Sequence, residues 1–350
     1  MTLPAAKFAC NYSALLRSCL SRQKENLVEV QDLKVWFPVQ KNLVERMLTR
    51  EHLFVHAVDG VSFEIRRGEV FGLAGESGSG KTTTGRAIVR LEKPTDGRVW
   101  FEGEDTTHLD GEPLRLKRQR MQVIFQDPYA SLNPRMSIGD AIGHSLEIFG
   151  VAMGEEKRVR VMHMMERVGL TPMAPLYEKF PHQLSGGQRQ RAVMARALIM
   201  HPDLIVTDEP IAMADVSMRA LLLQLMMDLK DESDLTYLFI THDLATAKYI
   251  CDRIAVMYLG KIVEMGTLQQ VYSDPKHPYT QALLAAVPDP KARRTAPMPR
   301  GEIPSPIDPP LGCRFHPRCP IAEGICSKEI PLLEPIAGQK EHLAACHLVE

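Results

Sequence analysis

Short, wholly apolar runs separated by helical-period stretches set the plan of this chain. Val70-Phe71-Gly72-Leu73-Ala74 and Leu204-Ile205-Val206 are apolar without alternation, as strands buried on both faces are. Met121 to Phe125 reads as a third such strand ending at Gln126, and Tyr237 to Ile240 as a fourth running into His242. Residues 28–37 and 57–66 alternate instead, the second with Val58, Val61, Phe63 and Ile65 as its apolar positions. Val99 to Phe101 adds a short strand after a turn at Pro94–Gly97, and residues 253–258 and 261–265 form a hairpin around Leu259-Gly260. Thr83 to Arg90 reads as a helix with Ala87, Ile88 and Leu91 on its inner side. Residues 137–200 carry helical periodicity, with Val159, Met162, Met165 and Val168 expected as a packed stripe, and residues 216–230 make a further helix. Strands alternating with helices predict an α/β core with a largely parallel sheet. Residues 38–56 are a polar, basic insert, and the prolines crowding residues 288–310 read as a linker.

Composition narrows the class. The 350 residues are 45% hydrophobic and 24% charged, enough for one large core with smaller appendages. A net charge of -1 supplies no basic field to recruit nucleic acid. No apolar run approaches the roughly 18–20 residues that span a bilayer. Residues 1–26 lack the apolar core of a signal peptide, being broken by Arg17, Ser18 and Arg22, and are expected to be a loose cytoplasmic extension.

Chemistry begins at Gly75-Glu76-Ser77-Gly78-Ser79-Gly80-Lys81-Thr82, which fits G-x-x-x-x-G-K-[ST] at every fixed position and stands between an apolar strand and a helix. In such a loop glycines let phosphate oxygens approach, successive N–H groups point inward, and the helix start adds its unpaired donors. Lys81 is expected on the β- and γ-phosphates, and the Thr82 hydroxyl on Mg²⁺. Asp208 and Glu209 close the second apolar strand, Asp208 as the metal-associated acid and Glu209 placed to polarise an attacking water. Leu184-Ser185-Gly186-Gly187-Gln188 opens another helix and makes a second anion site. Two phosphate-binding helix starts on one chain are simply explained by a nucleotide shared between two chains.

These motifs, in this order, resemble the ATP-binding subunits of ATP-binding-cassette (ABC) transporters over residues 28 to about 265. The resemblance implies a P-loop NTPase cassette with a RecA-like core, an antiparallel β subdomain and a helical subdomain at about residues 128–200. The nucleotide-binding domain would cover 27–266, and residues 267–350 would form a cysteine-rich C-terminal extension. Gly75–Thr82 is similar to the Walker A motif, with Thr83 following; Gln126 to the Q-loop, Leu184–Gln188 to the signature, Leu204–Glu209 to Walker B, and His242 to the switch histidine. The family pattern implies a head-to-tail dimer with ATP between one Walker A and the opposite Ser185–Gln188, His242 on the γ-phosphate, and Gln126 both sensing Mg²⁺ and coupling to a membrane partner. Phe37 rather than Trp36 would stack on adenine. Ala212-Met213-Ala214-Asp215 departs from the usual Ser-Ala-Leu-Asp D-loop; Asp215 is kept and the serine hydroxyl is missing.

His277-Pro278-Tyr279-Thr280-Gln281-Ala282-Leu283-Leu284 and Gln126 through Pro134 resemble the oligopeptide/dipeptide importers, and Gly85-Arg86-Ala87 resembles the second, F-type, of their paired ATPases. That branch also serves nickel and oligosaccharide import, so the solute stays open. The partners implied are a second ATPase subunit, as a heterodimer, two membrane permeases and an external solute-binding protein, with no nucleic acid. The chain would sit peripherally on the cytoplasmic face of the membrane. The alternative is a soluble ABC ATPase in DNA repair or translation, which would bring coiled-coil insertions or tandem cassettes; this chain has neither. A degenerate cassette is opposed by Lys81, Asp208, Glu209 and His242.

Cys313, Cys319, Cys326 and Cys346 form a C-x5-C-x6-C-x19-C set that fits neither common zinc spacing. Iron–sulfur, zinc and unligated thiols are all open on spacing; the resemblance implies a [4Fe–4S] cluster, with zinc as the alternative. Residues 301–350 hold too few large apolar side chains for a core of their own, so a metal staple is expected to order them, away from the nucleotide motifs.

Overall fold

A computed structural model describes residues 25–39, 53–212, 216–287 and 299–349. Residues 1–24 of the expected extension, residues 40–52 of the insert, Met213, Ala214 and Asp215, and residues 288–298 of the proline-rich stretch lie outside these.

The alternating segments build an antiparallel sheet of β1 (Asn26–Pro38), β2 (Phe54–Arg66), β4 (Asp96–Phe101) and β5 (Glu104–Asp105), in the order β2-β1-β4-β5. The apolar runs build the second sheet. It contains β3 (Val70–Ala74), β6 (Met121–Ile124), β7 (Leu204–Asp208), β8 (Thr236–Thr241), β9 (Arg253–Tyr258), β10 (Lys261–Thr267), β11 (Glu334–Ile336) and β12 (Gln339–Ala344), in the order β11-β12-β10-β9-β3-β8-β7-β6. From β6 to β9 neighbours run parallel, and β3, β7 and β8 are buried along their whole length, which is why their sequences do not alternate. Leu259 and Gly260 both take positive φ (43° and 80°) in the β9–β10 turn, the type I′ geometry that matches strand twist.

Helices Ile138–Ile148, Gly154–Arg167 and Gly186–Leu198 pack into the helical subdomain through Ile142, Val161, Met165 and Val193, continuous with the core under the main sheet. The expected stripe needs correction at its start. Val159 is 59% exposed, and the buried set is Val161, Met164, Met165 and Val168. Three steps taken three residues apart drift round a helix, so Val159 lands about 180° from Val168. Leu91 is likewise outside, at 45% exposure, because the helix after the phosphate loop ends at Ile88 and the chain has already turned. Among the described residues no helix is long and apolar enough to cross a membrane.

The C-terminal region is not the coreless appendage the sequence predicts. β12 hydrogen-bonds to β10, adding to the main sheet, and Phe315 is buried against Tyr258 and Tyr279. Between β12 and β10, fully buried His342 meets fully buried Glu264 at 2.7 Å, and Glu264 also accepts the N–H groups of Lys276 and His277. The region is thus anchored on the cassette through β12 and Phe315.

Candidate nucleotide site

Ligands of open parallel sheets bind beyond the carboxyl ends of the strands. Here β3 ends at the phosphate loop, β7 at Asp208-Glu209, and β8 one residue before His242. Parallel pairing in register therefore delivers the three motifs to one edge.

The loop turns sharply because two glycines allow it. Gly75 and Gly80 take positive φ (151° and 103°), and a Cβ at either would run into a backbone carbonyl, of Met257 and Ala57 respectively. Lys81, first residue of the helix, is buried and folds back over the loop. Its ammonium donates to the carbonyls of Gly75 and Glu76, both at 2.7 Å, and to Ser79 Oγ at 3.3 Å. Burial pulls its pKa below the ordinary lysine value, opposed by the charges of Glu209, Asp208 and Glu76. The cation is thus held on neutral oxygens that an anionic phosphate can replace.

Thr82 Oγ1 donates to Asp208 Oδ1 at 2.9 Å. Burial raises the Asp208 pKa, the Thr82 hydrogen bond opposes that, and neighbouring Glu209 adds to it. A divalent cation beside this hydroxyl and carboxylate would relieve the repulsion between the two acids.

Glu209 is the focus of the site. Its φ is +49°, a left-handed conformation costing a non-glycine residue about 1–3 kcal/mol. The turn aims the carboxylate back across the strand ends. Oε2 accepts from Gln126 Nε2 at 2.9 Å, and Oε1 lies 2.7 Å from His242 Nδ1. Residues from β7, β8 and the segment after β6 thus meet at one carboxylate.

These groups share a cleft of about 840 Å³ with Glu76, Ser77, Gly78, Gly80, Lys81, Thr82 and Thr83. Phe37 lines it, whereas Trp36 packs on His56 and donates to Asp59. Gly75 and Ser79 do not line the cleft; they accept from the Lys81 ammonium. Ser185, Gly186, Gly187 and Gln188 do not line this cleft. Ser185 caps its own helix, accepting from Gln188 N, while the Gln188 side chain accepts from Ser185 N in a reciprocal capping box. Asp215 lies outside the described residues; Ala212 stands beside Glu209 in an adjoining pocket.

Sequence reasoning missed four lining residues, Val55, Ala57, Leu283 and Pro306. It also gave no role to the His-Pro-Tyr motif. His277, held neutral by burial with its pKa pushed down to about 3, caps the helix Pro278–Ala285 by accepting from Tyr279 N. Pro278 starts that helix, and buried Tyr279 carries its hydroxyl to the N–H of Glu76 at 2.9 Å. The motif was legible as a signal; its target, 203 positions away, was not.

The four C-terminal cysteines are neighbours. Cys313 N donates to Cys326 O at 2.8 Å. Burial pushes the Cys313 thiol up to about 11, with Cys346 and Cys326 adding to the effect. Burial also raises Cys346, reinforced by Cys319 and Cys326, and Cys319, reinforced by Cys326. Among the described residues, however, no group of three or more His, Cys, Asp or Glu side chains stands at the spacing a metal ion requires.

A phosphate loop, a paired acid, a glutamine and a histidine at the ends of parallel strands define an ATP-binding cassette. The ABC transporter family model matches residues 58–212, and the oligopeptide/dipeptide transporter C-terminal region matches residues 263–326. The chain is 44% identical to an oligopeptide transport ATP-binding protein, AppF, of Bacillus subtilis over 330 residues, covering 93% of this chain and 98% of that one. It is 45% identical to a dipeptide transport ATP-binding protein, DppF, of Haemophilus influenzae over 331 residues, with coverage of 93% and 98%. Among solved structures it is similar to the dimeric post-hydrolysis state of the cassette MJ0796 bound to ADP and Pi, at 29% identity and a TM-score of 0.58, covering 69% of this chain and 98% of that one. The chain belongs to the ATP-binding subunits of ABC transporters, in the oligopeptide/dipeptide branch. These relatives are transport ATP-binding proteins, and nothing among them supports a role in DNA repair or translation.

Proposed function

We propose that this chain hydrolyses ATP at its own phosphate loop only when the Ser185–Gln188 helix start of a second cassette closes over it, and that this closure drives import of peptides through two permeases supplied by a solute-binding protein. One observation carries the reading: Glu209, Gln126 and His242 are assembled at the cleft, while the signature residues lie outside it. Glu209 would take the proton of the attacking water, His242 would orient it and face the γ-phosphate, and Gln126 would report the occupied site to the permease. Thr82, Asp208 and Gln126 would hold Mg²⁺, which when bound neutralises phosphate charge. The dimeric form of MJ0796 supports the pairing, and the names of the relatives support the peptide substrate. A heterodimer on the cytoplasmic face of the membrane follows the family pattern.

The isolated chain should therefore be a poor ATPase whose specific activity climbs with protein concentration or on adding the partner cassette. Steady-state phosphate release across a dilution series checks this; a full transporter rate independent of dilution would exclude the shared site.

We also propose that Cys313, Cys319, Cys326 and Cys346 ligate a [4Fe–4S] cluster, or zinc in its place. The four cysteines supply the sulfur donors either group takes, and ligation would convert the thiols to thiolates with loss of protons. Anaerobic purification followed by iron, sulfide and zinc analysis should find one metal group per chain. Four freely titratable thiols and no metal in the folded protein would defeat both versions.

A further inference from the structure

Two side chains from beyond the nucleotide motifs grip a single loop residue, Glu76. Tyr279 accepts its N–H, and Arg318 Nη1 donates to its carboxylate Oε2 at 3.0 Å. The Arg318 side chain is only 11% exposed. Its guanidinium lies 5.8 Å from the ring centroid of Tyr258, and its carbonyl accepts from Arg300 N at 3.0 Å. Tyr258, Tyr279 and Phe315 pack together beneath it. Exposed ion pairs hold little, but this one is braced by aromatic packing on one side and backbone on the other. The Glu76 carbonyl is moreover one of the oxygens on which the Lys81 ammonium rests. Nearby, Arg314 donates to Leu259 O and to Asp59, and Gly260 N donates to Ser79 O at 2.9 Å, so the same C-terminal segment also supports the far side of the loop.

We propose that Arg318 is a positioning residue of the nucleotide site: it clamps the Glu76 carboxylate and, with Tyr279, holds the phosphate loop in its binding shape before ATP arrives. A pre-shaped loop spends no binding energy on ordering its N–H groups. The inference rests on this cleft being the ATP site.

The test is a titration of the full chain with a fluorescent ATP analogue and Mg²⁺. Arg318→Met should raise Kd roughly threefold to tenfold, with Arg318→Lys recovering part of the loss. Glu76→Ala separates positioning from simple charge, because it removes the acceptor for Arg318 together with the charge. Removing a negative charge beside the phosphates should tighten binding by long-range electrostatics alone, whereas loss of the clamp should weaken it. The double variant should be no worse than the weaker single one, because the two side chains act as one contact. In the assembled transporter the KM for ATP should rise with kcat retained, and the unfolding midpoint of the nucleotide-free chain should hardly move. Wild-type or tighter binding by Glu76→Ala, or penalties that add in the double variant, overturns the clamp; so does an affinity loss that merely tracks loss of folded protein. Should Arg318→Met fail to fold, Glu76→Ala and Arg318→Lys carry the test. Lys81→Ala is the control for the site itself: if it too binds normally, the cleft is not the ATP site and the clamp falls with it.

Discussion

Glu209→Gln is expected to lower steady-state ATP hydrolysis by roughly 10²–10⁴-fold, the range a positioned general base supplies, while ATP still binds. Both contacts of the carboxylate can survive the change. The new carbonyl oxygen can accept from Gln126 Nε2, and the new amide can donate to His242 Nδ1, so the cluster keeps its shape. What is lost is the capacity to take a proton. Phosphate release by the assembled transporter, paired with retention of labelled ATP on the protein, measures the two effects separately. Turnover near the wild-type rate would remove Glu209 from the role of base and point to a substrate-assisted path.

The second large effect is on binding. Lys81→Ala removes the one buried ammonium of the loop, and a charge-assisted contact of about 1.5–3 kcal/mol goes with it, so nucleotide affinity should fall by one to two powers of ten. Part of the damage is local. The Gly75 and Glu76 carbonyls, which accept from Lys81 at 2.7 Å, would lose their donor and would face the phosphates uncompensated. Isothermal calorimetry with ATP and Mg²⁺ gives the number directly. Affinity unchanged within error would contradict the assignment of Gly75–Thr82 as the phosphate loop.

Much of this site was legible because its residues sit at the ends of fully buried strands. A strand apolar on both faces announces itself by composition, and parallel pairing then sets Gly75, Asp208 and His242 on a common edge without further information. Gln126 and Glu209 were legible as motifs, but their contact was not: it depends on the left-handed turn at Glu209, which no propensity of glutamate predicts. The helix stripe beginning at Val159 failed because a spacing of three mimics the helical period over one turn and departs from it over two. The C-terminal region failed for a different reason. Its apolar content is too small for an independent core, and the sequence has no way of saying that Phe315 and β12 borrow the core of the cassette instead. Contacts such as Arg318 to Glu76 join residues 242 positions apart, far beyond the reach of local pattern.

The placement of β12 bears on how the chain is made. Synthesis runs from the N-terminus, and the tens of residues nearest the growing end are still hidden in the ribosome when the cassette motifs have emerged. Until Gln339–Ala344 are released, β10 has no neighbour on its outer side, and Glu264 is without its histidine. An open strand edge invites pairing with other chains. β12 therefore acts as a lock on the product: a chain that stops short of it leaves a sheet with a vacant edge and Glu264 without its histidine partner. Those are features that chaperones and proteases act upon, so incomplete chains would be removed before they could compete for a permease.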